Sequence, residues 1–293
     1  MKSSALVFLA AFLALAGSWG GFVLAPQIQL GRAMPEKPTG GDQLYPLARP
    51  GVAARGAEVY RANGCVYCHS QQVGQDGIYC EVVLTEAGTN AAATAAAVAK
   101  LNPELAKDAA ALLASLPKTI LNVHDVNAAD APAKALQAGG GKAEIRIIPT
   151  GTDIARGWGK RRTVAQDYLN DMPVQLGSRR IGPDLANVGA RLPDANWQLQ
   201  HLYAPKSVLK DSTMPAYRFL FQKRKAGSHP APDALQLPKE FAPEAGYEIV
   251  PTEDAQALVA YLLSLHADAP LYEAPITVVA AKPASASTNS VTK

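Results

Sequence analysis

Apolar and polar positions along the chain change their pattern several times. From Ser4 to Ala25, "SALVFLAAFLALAGSWGGFVLA", 22 residues pass without a charge; as a helix they span roughly 33 Å, enough to cross a bilayer core. The small residues of Ala14 to Gly17 look like a signal cleavage site, but the apolar run continues through Trp19, Phe22, Val23 and Leu24. It is longer than a secretory h-region, which favours an uncleaved anchor over a removed leader. Under either reading the remainder is exported. Residues 26–50 are rich in Pro and Gly and predict an extended linker. At Gly51 helical spacing begins: "GVAARGAEVYRANG" places Val52, Gly56, Val59 and Tyr60 on one face and stops at Gly64.

Residues 79–150 differ. "YCEVVLT" alternates, so Cys80, Val82 and Leu84 share a face. "AAATAAAVAK", "PELAKDAAALLASL" and "ADAPAKALQAG" are helical in pattern, "KTILNVH" is extended, and "KAEIRII" is extended with Ala143, Ile145 and Ile147 together. The order β-α-α-β-α-β predicts a small three-stranded sheet covered by helices. Beyond Arg156 the chain turns basic and loop-rich. Helices are predicted in "DANWQLQHLY", with Asp194 as cap, and in "TEDAQALVAYLLSLH", with Thr252 as cap and a stripe of Leu258, Val259, Leu262 and Leu263. The small polar end, "AAKPASASTNSVTK", predicts a disordered tail.

The 293 residues suffice for one large or two modest domains. A net charge of +3 is too small to point to nucleic acid. Three cysteines, two of them in one motif, do not make a disulfide framework even in an oxidising compartment.

That motif is "NGCVYCHSQQ". Cys65 and Cys68, one helical turn apart, suit two thioether bonds to a haem, with His69 set to be the iron's axial ligand. A zinc site needs a second ligand pair, and the only other cysteine, Cys80, lies on an apolar strand face. A redox dithiol has no need of the following histidine. For the sixth ligand Met214, in "STMPAY", is favoured over Met34 in the linker and Met172 in a loop, because its thioether stands on a proline-stiffened turn before the last helix. His201 or His229 would instead give a bis-histidine site, and of the two His201 is the rival to Met214. The proximal imidazole needs an acceptor for its free N–H; the Pro183 carbonyl in "RRIGPDLANVG" is the candidate, and Arg179 and Arg180 are candidates for the haem propionates. Arg156, Lys160, Arg161 and Arg162 form a basic cluster, read as solvated charge or as facing lipid phosphate or an acidic partner.

Together "GAEVYRANGCVYCHS", "GPDLANVG", "MPAY" and "ALVAYLLSL" resemble a class I cytochrome c, whose first and last helices cross near a glycine such as Gly56 against an aromatic such as Tyr261. More closely, "CVYCHSQQV", "PVQLGSRRIGPDLANVGAR", "HLYAP" and "STMPAYRFL" after an amino-terminal anchor resemble the monohaem subunit (subunit II) of cbb-type haem–copper cytochrome c oxidases. That resemblance implies a mainly α fold with a transmembrane helix at 1–25, a linker at 26–50, and a cytochrome c domain at 51–78 and 151–266. The sequence departs from that family in an α+β insertion at 79–150, which replaces the short segment after the haem box, and a tail at 267–293 follows. The resemblance further implies one covalent haem c at Cys65 and Cys68, with His69 and Met214 as axial ligands. The subunit would be single-pass in the inner membrane with the haem on the periplasmic side. Electrons would arrive from other c-type cytochromes and leave for a haem-b/copper catalytic subunit. The sequence holds no histidine cluster for copper or a second haem, so oxygen chemistry belongs to that partner. The small cytochrome subunit of nitric oxide reductase and a free-standing anchored shuttle are the alternatives. Within the insertion, "EVVLTEAGTN", "KDAAALLASLPKTI" and "AGGGKAEIRI" resemble the carboxy-terminal domain of the ribosomal stalk protein. The basic residues by which that family receives translation factors give way here to alanines, so the resemblance implies the fold and not the partner.

Overall fold

The structure is a computed structural model that describes residues 3–38 and 41–271. The expected tail lies outside the described residues from position 272 onward.

The first helices, α1 (Ser3–Trp19) and α2 (Ala25–Gly31), run on through a single wide turn at Gly20–Leu24. Residues Ser4–Gln29 form the one helix among the described residues that is long and apolar enough to cross a membrane, and Leu6, Phe8, Phe12 and Phe22 on it are exposed. The helix outlasts its predicted end because of that turn. The amide of Ala25 reaches back to the carbonyl of Gly20, one residue further than an α-helical bond. The ladder is thereby relaxed immediately before Pro26, which has no N–H to give.

The segment that follows is not an extended linker. Glu36 and Tyr45 pair across an antiparallel bridge. Gln166 Nε2 donates to the carbonyls of Met34 (3.0 Å) and Tyr45 (3.2 Å), and Asn170 Nδ2 donates to that of Leu47 (2.7 Å). The Tyr45 hydroxyl donates to Asp167 Oδ1 at 2.5 Å and lies 2.8 Å from the His266 carbonyl. Asp167 also receives both terminal nitrogens of Arg161, at 2.9 and 2.8 Å, while Arg161 Nε donates to the Ala269 carbonyl at 2.6 Å. The side chain of Arg161 is fully buried. The basic cluster is therefore not uniformly solvated, since one of its members braces the strap at 34–49 to the body and to the chain beyond the last helix. That brace also explains why Ala267 and Leu271, beyond the expected boundary of the tail, are buried.

Helix α3 (Gly51–Ala62) precedes an inserted layer: β1 (Gly77–Glu86), α4 (Ala91–Leu101), α5 (Ala109–Ala114), β2 (Lys118–Val123), α6 (Val126–Ala138) and β3 (Lys142–Thr150). The sheet is antiparallel, in the order β2-β1-β3. Strand alternation turns Cys80, Val82 and Leu84 onto an apolar cluster with Val98, Leu112, Ile120 and Leu136, against which Ala143, Ile145 and Ile147 pack. The helix predicted across "PELAKDAAALLASL" forms only from Ala109. There the Asp108 carboxylate accepts the Ala111 amide and sets the start. At the neck of this unit the Asp76 amide donates to the Thr150 carbonyl at 2.8 Å.

The chain returns through α7 (Thr152–Ala155), α8 (Val188–Arg191), α9 (Ala195–Tyr203) and α10 (Pro205–Val208). A hairpin of β4 (Phe221–Lys225) and β5 (Tyr247–Pro251) follows, then α11 (Glu253–Leu263). The hairpin departs from the expectation of helices and turns alone in this region. Of the β4 residues only Phe221 is buried, so the strand lacks the apolar alternation that reveals one. Asp194 and Thr252 cap α9 and α11 through their side chains. Helices α3 and α11 cross where a Cβ on Gly56 would stand 1.9 Å from the Ala257 carbonyl oxygen and 2.7 Å from Tyr261 Cβ; only hydrogen fits. Around that crossing lies a core of Val59, Tyr60, Leu202, Tyr203, Leu258 and Leu262.

Candidate functional site

Helix α3 ends at Gly64, whose φ of +69° is left-handed and turns the chain sharply. A single 3-10 turn over Cys65–Tyr67 follows, and the His69 amide donates to the Cys65 carbonyl at 3.0 Å. Cys65, Cys68 and His69 thus stand on one turn. Both cysteines are free thiols, Cys65 buried and Cys68 half-buried. Burial pushes the Cys65 thiol up to about 12, which keeps it protonated and makes it a poor redox nucleophile. Cys80 is in the core of the inserted layer, away from this turn.

A second loop wraps the first. Gln71, Ser178, Gly182 and Leu185 donate their amides to the carbonyls of Leu176 (2.9 Å), Val66 (3.3 Å), Cys68 (3.0 Å) and Ser70 (2.8 Å). This lacing brings the Pro183 carbonyl 2.8 Å from His69 Nδ1. A carbonyl only accepts, so Nδ1 carries the proton and Nε2 keeps its lone pair. Two glycines make the fit possible. A Cβ on Gly182 would lie 2.2 Å from His69 Cε1, and one on Gly177, whose φ is +77°, 2.3 Å from the His69 carbonyl oxygen. Burial lowers the His69 pKa, against the upward pull of the Pro183 carbonyl and of Asp184. The imidazole is therefore neutral near pH 7, the form that binds a metal.

Arg180, expected at a propionate, is engaged elsewhere. Its Nε donates to Ser70 Oγ at 2.8 Å and its terminal nitrogens to Asp153 at 2.9 and 2.8 Å and to the Gln72 carbonyl. Arg179 is exposed. From the end of α8 onward the chain contributes buried polar atoms; sequence reasoning weighed His201 among them as an axial ligand and passed over Arg191 and Ser207. Arg191 Nε, His201 Nδ1 and Ser207 Oγ are buried without a hydrogen-bond partner, and such atoms cost about 1–3 kcal/mol each unless something meets them. "GPDLANVGAR" carried a signal for the first, an arginine closing the helical turn of α8. His201 stacks on Trp197 at 4.9 Å. Burial, reinforced by the nearby His69, lowers its pKa to about 4.

Met214 is half-buried and packs against the same apolar cluster that contains Cys65, with Tyr217 beside it. The Tyr217 amide is tied to the Leu202 carbonyl at 2.8 Å, which holds the "MPAY" turn to α9. Met172 is 97% exposed and Met34 is exposed too. The structure thus gathers Cys65, Cys68, His69, Pro183 and Met214 about one core, with His201 near them, Arg179 exposed and Arg180 held between Ser70 and Asp153.

The residues present fit a c-type haem. The two thiols are unpaired, the Nε2 lone pair is free, two glycines admit the imidazole, and buried donors stand without partners. No curated protein matches the chain. Residues 146–248, about a third of the chain, match the family described as cytochrome c oxidase, mono-heme subunit/FixO; the match takes in Arg179, Arg180, Pro183, His201 and Met214.

Proposed function

We propose that the chain is the membrane-anchored electron-transfer subunit of a cbb-type terminal oxidase, with one covalent haem c. The contact between His69 Nδ1 and the Pro183 carbonyl carries the reading. It gives a neutral imidazole of fixed tautomer one residue after a Cys-x-x-Cys pair, and a redox dithiol would have no use for it. The family match over residues 146–248 supports the oxidase assignment, and the apolar helix at Ser4–Gln29 supports the anchor.

Cys65 and Cys68 would hold the macrocycle, His69 Nε2 and Met214 Sδ would ligate the iron, and the group when bound would supply a one-electron couple. The chain's own part is to fix those atoms. Pro183 orients the imidazole, Gly182 admits it, and the buried core around Met214 keeps water away. Arg191, His201 and Ser207, rather than Arg179 or Arg180, are the donors left for the propionates. The haem unit would lie on the periplasmic side of the inner membrane. It would take electrons from c-type cytochromes and pass them to the haem–copper subunit.

The test is Cys65→Ala with Cys68→Ala in the full chain. Haem staining on a denaturing gel is expected to vanish, and staining that persists overturns the haem assignment. Purification in mild detergent tests the assembly: the chain is expected to travel with a large haem-b subunit. A chain that runs alone supports the free shuttle instead, and nitric oxide uptake by the complex supports the reductase.

A further inference from the structure

Between the inserted layer and the His69 loop two buried carboxylates face one arginine. Asp153 lies just beyond β3, at the root of the insertion, and its Oδ2 accepts the Gly74 amide at 2.7 Å. Asp184 follows Pro183 and is fully buried. Its Oδ2 accepts Ser70 Oγ at 2.6 Å and the Gln72 amide at 2.7 Å, and its Oδ1 accepts the Ala186 amide at 2.8 Å. Arg180 spans them, with both Asp153 oxygens within 2.9 Å and Asp184 Oδ2 at 3.8 Å. Its guanidinium stacks over Trp158 at 5.4 Å, beside Arg156 at 4.9 Å on the same ring. Its Nε holds Ser70, the residue next to His69.

Two features distinguish this from a surface ion pair. The carboxylates are 6% and 0% exposed at the side chain, so their fields are weakly screened. The partners also come from different parts of the chain: Asp153 from the neck that joins the insertion to the body, Ser70 and Asp184 from the two loops that position the imidazole. The same neck is closed by the Asp76 amide on the Thr150 carbonyl and by the Thr152 amide on Asp76 Oδ2 at 3.3 Å.

We propose that Arg180 is a positioning residue for the proximal side of the haem. It joins the neck of the inserted unit to the loop that holds His69, and with Asp153 and Asp184 it sets the reduction potential. This rests on the haem reading above. Arg191, whose terminal nitrogen donates to the Asp184 carbonyl at 3.0 Å, faces the same loop, so the charges beside the imidazole are mixed in sign; within that set each buried carboxylate favours the oxidised iron and each guanidinium the reduced. The insertion thereby reaches the redox centre through Asp153, without entering the haem pocket.

The experiment is a redox titration at pH 8 of the full chain in detergent, comparing wild type with Asp153→Asn, Arg180→Gln and Arg180→Lys. Haem staining of each variant on a denaturing gel reports attachment separately, and unstained wild type is a failure of the haem reading, not of this one. Asp153→Asn removes a negative charge at nearly constant shape, so the potential is expected to rise. Arg180→Gln is expected to lower it, and Arg180→Lys to restore most of the wild-type value. General loosening of the loop would move the first two in the same direction. Shifts of the same sign, or no shift in either, overturn the proposal. If Arg180→Gln does not accumulate, Asp153→Asn decides alone: a raised potential supports the charge assignment, and an unchanged or lowered one overturns it.

Discussion

Gly182 lies flat against the imidazole of His69, so close that a methyl group in its place would meet Cε1 at 2.2 Å. The neighbours cannot yield cheaply, because the Gly182 amide is itself tied to the Cys68 carbonyl. In Gly182→Ala the imidazole must tilt away from the Pro183 carbonyl, at a cost of about 1–3 kcal/mol for the overpacking. Haem staining is expected to fall or the near-infrared sulfur-to-iron band to weaken. An unaltered spectrum and yield would show that the ring has more room than the geometry gives it.

The crossing of α3 and α11 rests on Gly56 in the same way, but its consequences are for stability. Alanine there would put Cβ 1.9 Å from a helix carbonyl, and backbone cannot rotate aside as a side chain can. The two helices must separate, and with them the core that includes Cys65. Gly56→Ala is expected to lower stability by about 1–3 kcal/mol, read as a drop in thermal midpoint.

Arg161 and Asp167 make a buried pair, at 0% and 5% side-chain exposure. Deleting one partner of such a pair leaves the other charge unpaired, typically at about 3–5 kcal/mol. Arg161→Met is expected to destabilise by that order in chemical denaturation. It should also free the strap at 34–49, measured as faster amide exchange at Tyr45. A loss under ~1 kcal/mol would mean that the strap can shed its brace without consequence.

His201 predicts a pH dependence. Its pKa falls from 6.5 to about 4 on folding, through burial and the neighbouring His69, so protonation favours the unfolded chain. The neutral ring's contribution is fully present above pH 6.5 and declines as pH falls toward 4, where the loss levels off. The difference corresponds to roughly 3 kcal/mol as an upper bound. In urea denaturation of the haem-free Cys65→Ala, Cys68→Ala chain, where no propionate meets the ring, His201→Gln is expected to flatten the decline across this window. A slope equal to that of the parent chain would assign the acid sensitivity to other groups.

The sequence showed most clearly those parts in which one residue type serves one physical need. Apolar alternation at Cys80, Val82 and Leu84 led directly to a buried strand face, and the caps at Asp194 and Thr252 to two helix starts. Pro183 was legible because a ligand imidazole needs an acceptor that cannot donate. The brace at Arg161 was not legible, since a buried arginine and a solvated one look alike until their partners are found, and Asp167 and Tyr45 come from opposite sides of it in the chain. Arg180 was placed at the propionates for a similar reason. Charge alone suggested an anion, but the anion that the fold brings to it is Asp153, carried in by the return of the insertion. The hairpin of β4 and β5 lay hidden because β4 is exposed over most of its length.

The strap also sets the slack in the tether. The amino-terminal helix ends at Gly31, and the chain is first held to the body at the Met34 carbonyl. Arg32 and Ala33 lie between these points, the Arg32 amide still bound to the Gln29 carbonyl at 3.2 Å, so the tether spans at most roughly 10 Å. If the helix spans the membrane, the unit beyond the strap cannot roam above the bilayer. It is held at one height, and any partner must meet it there.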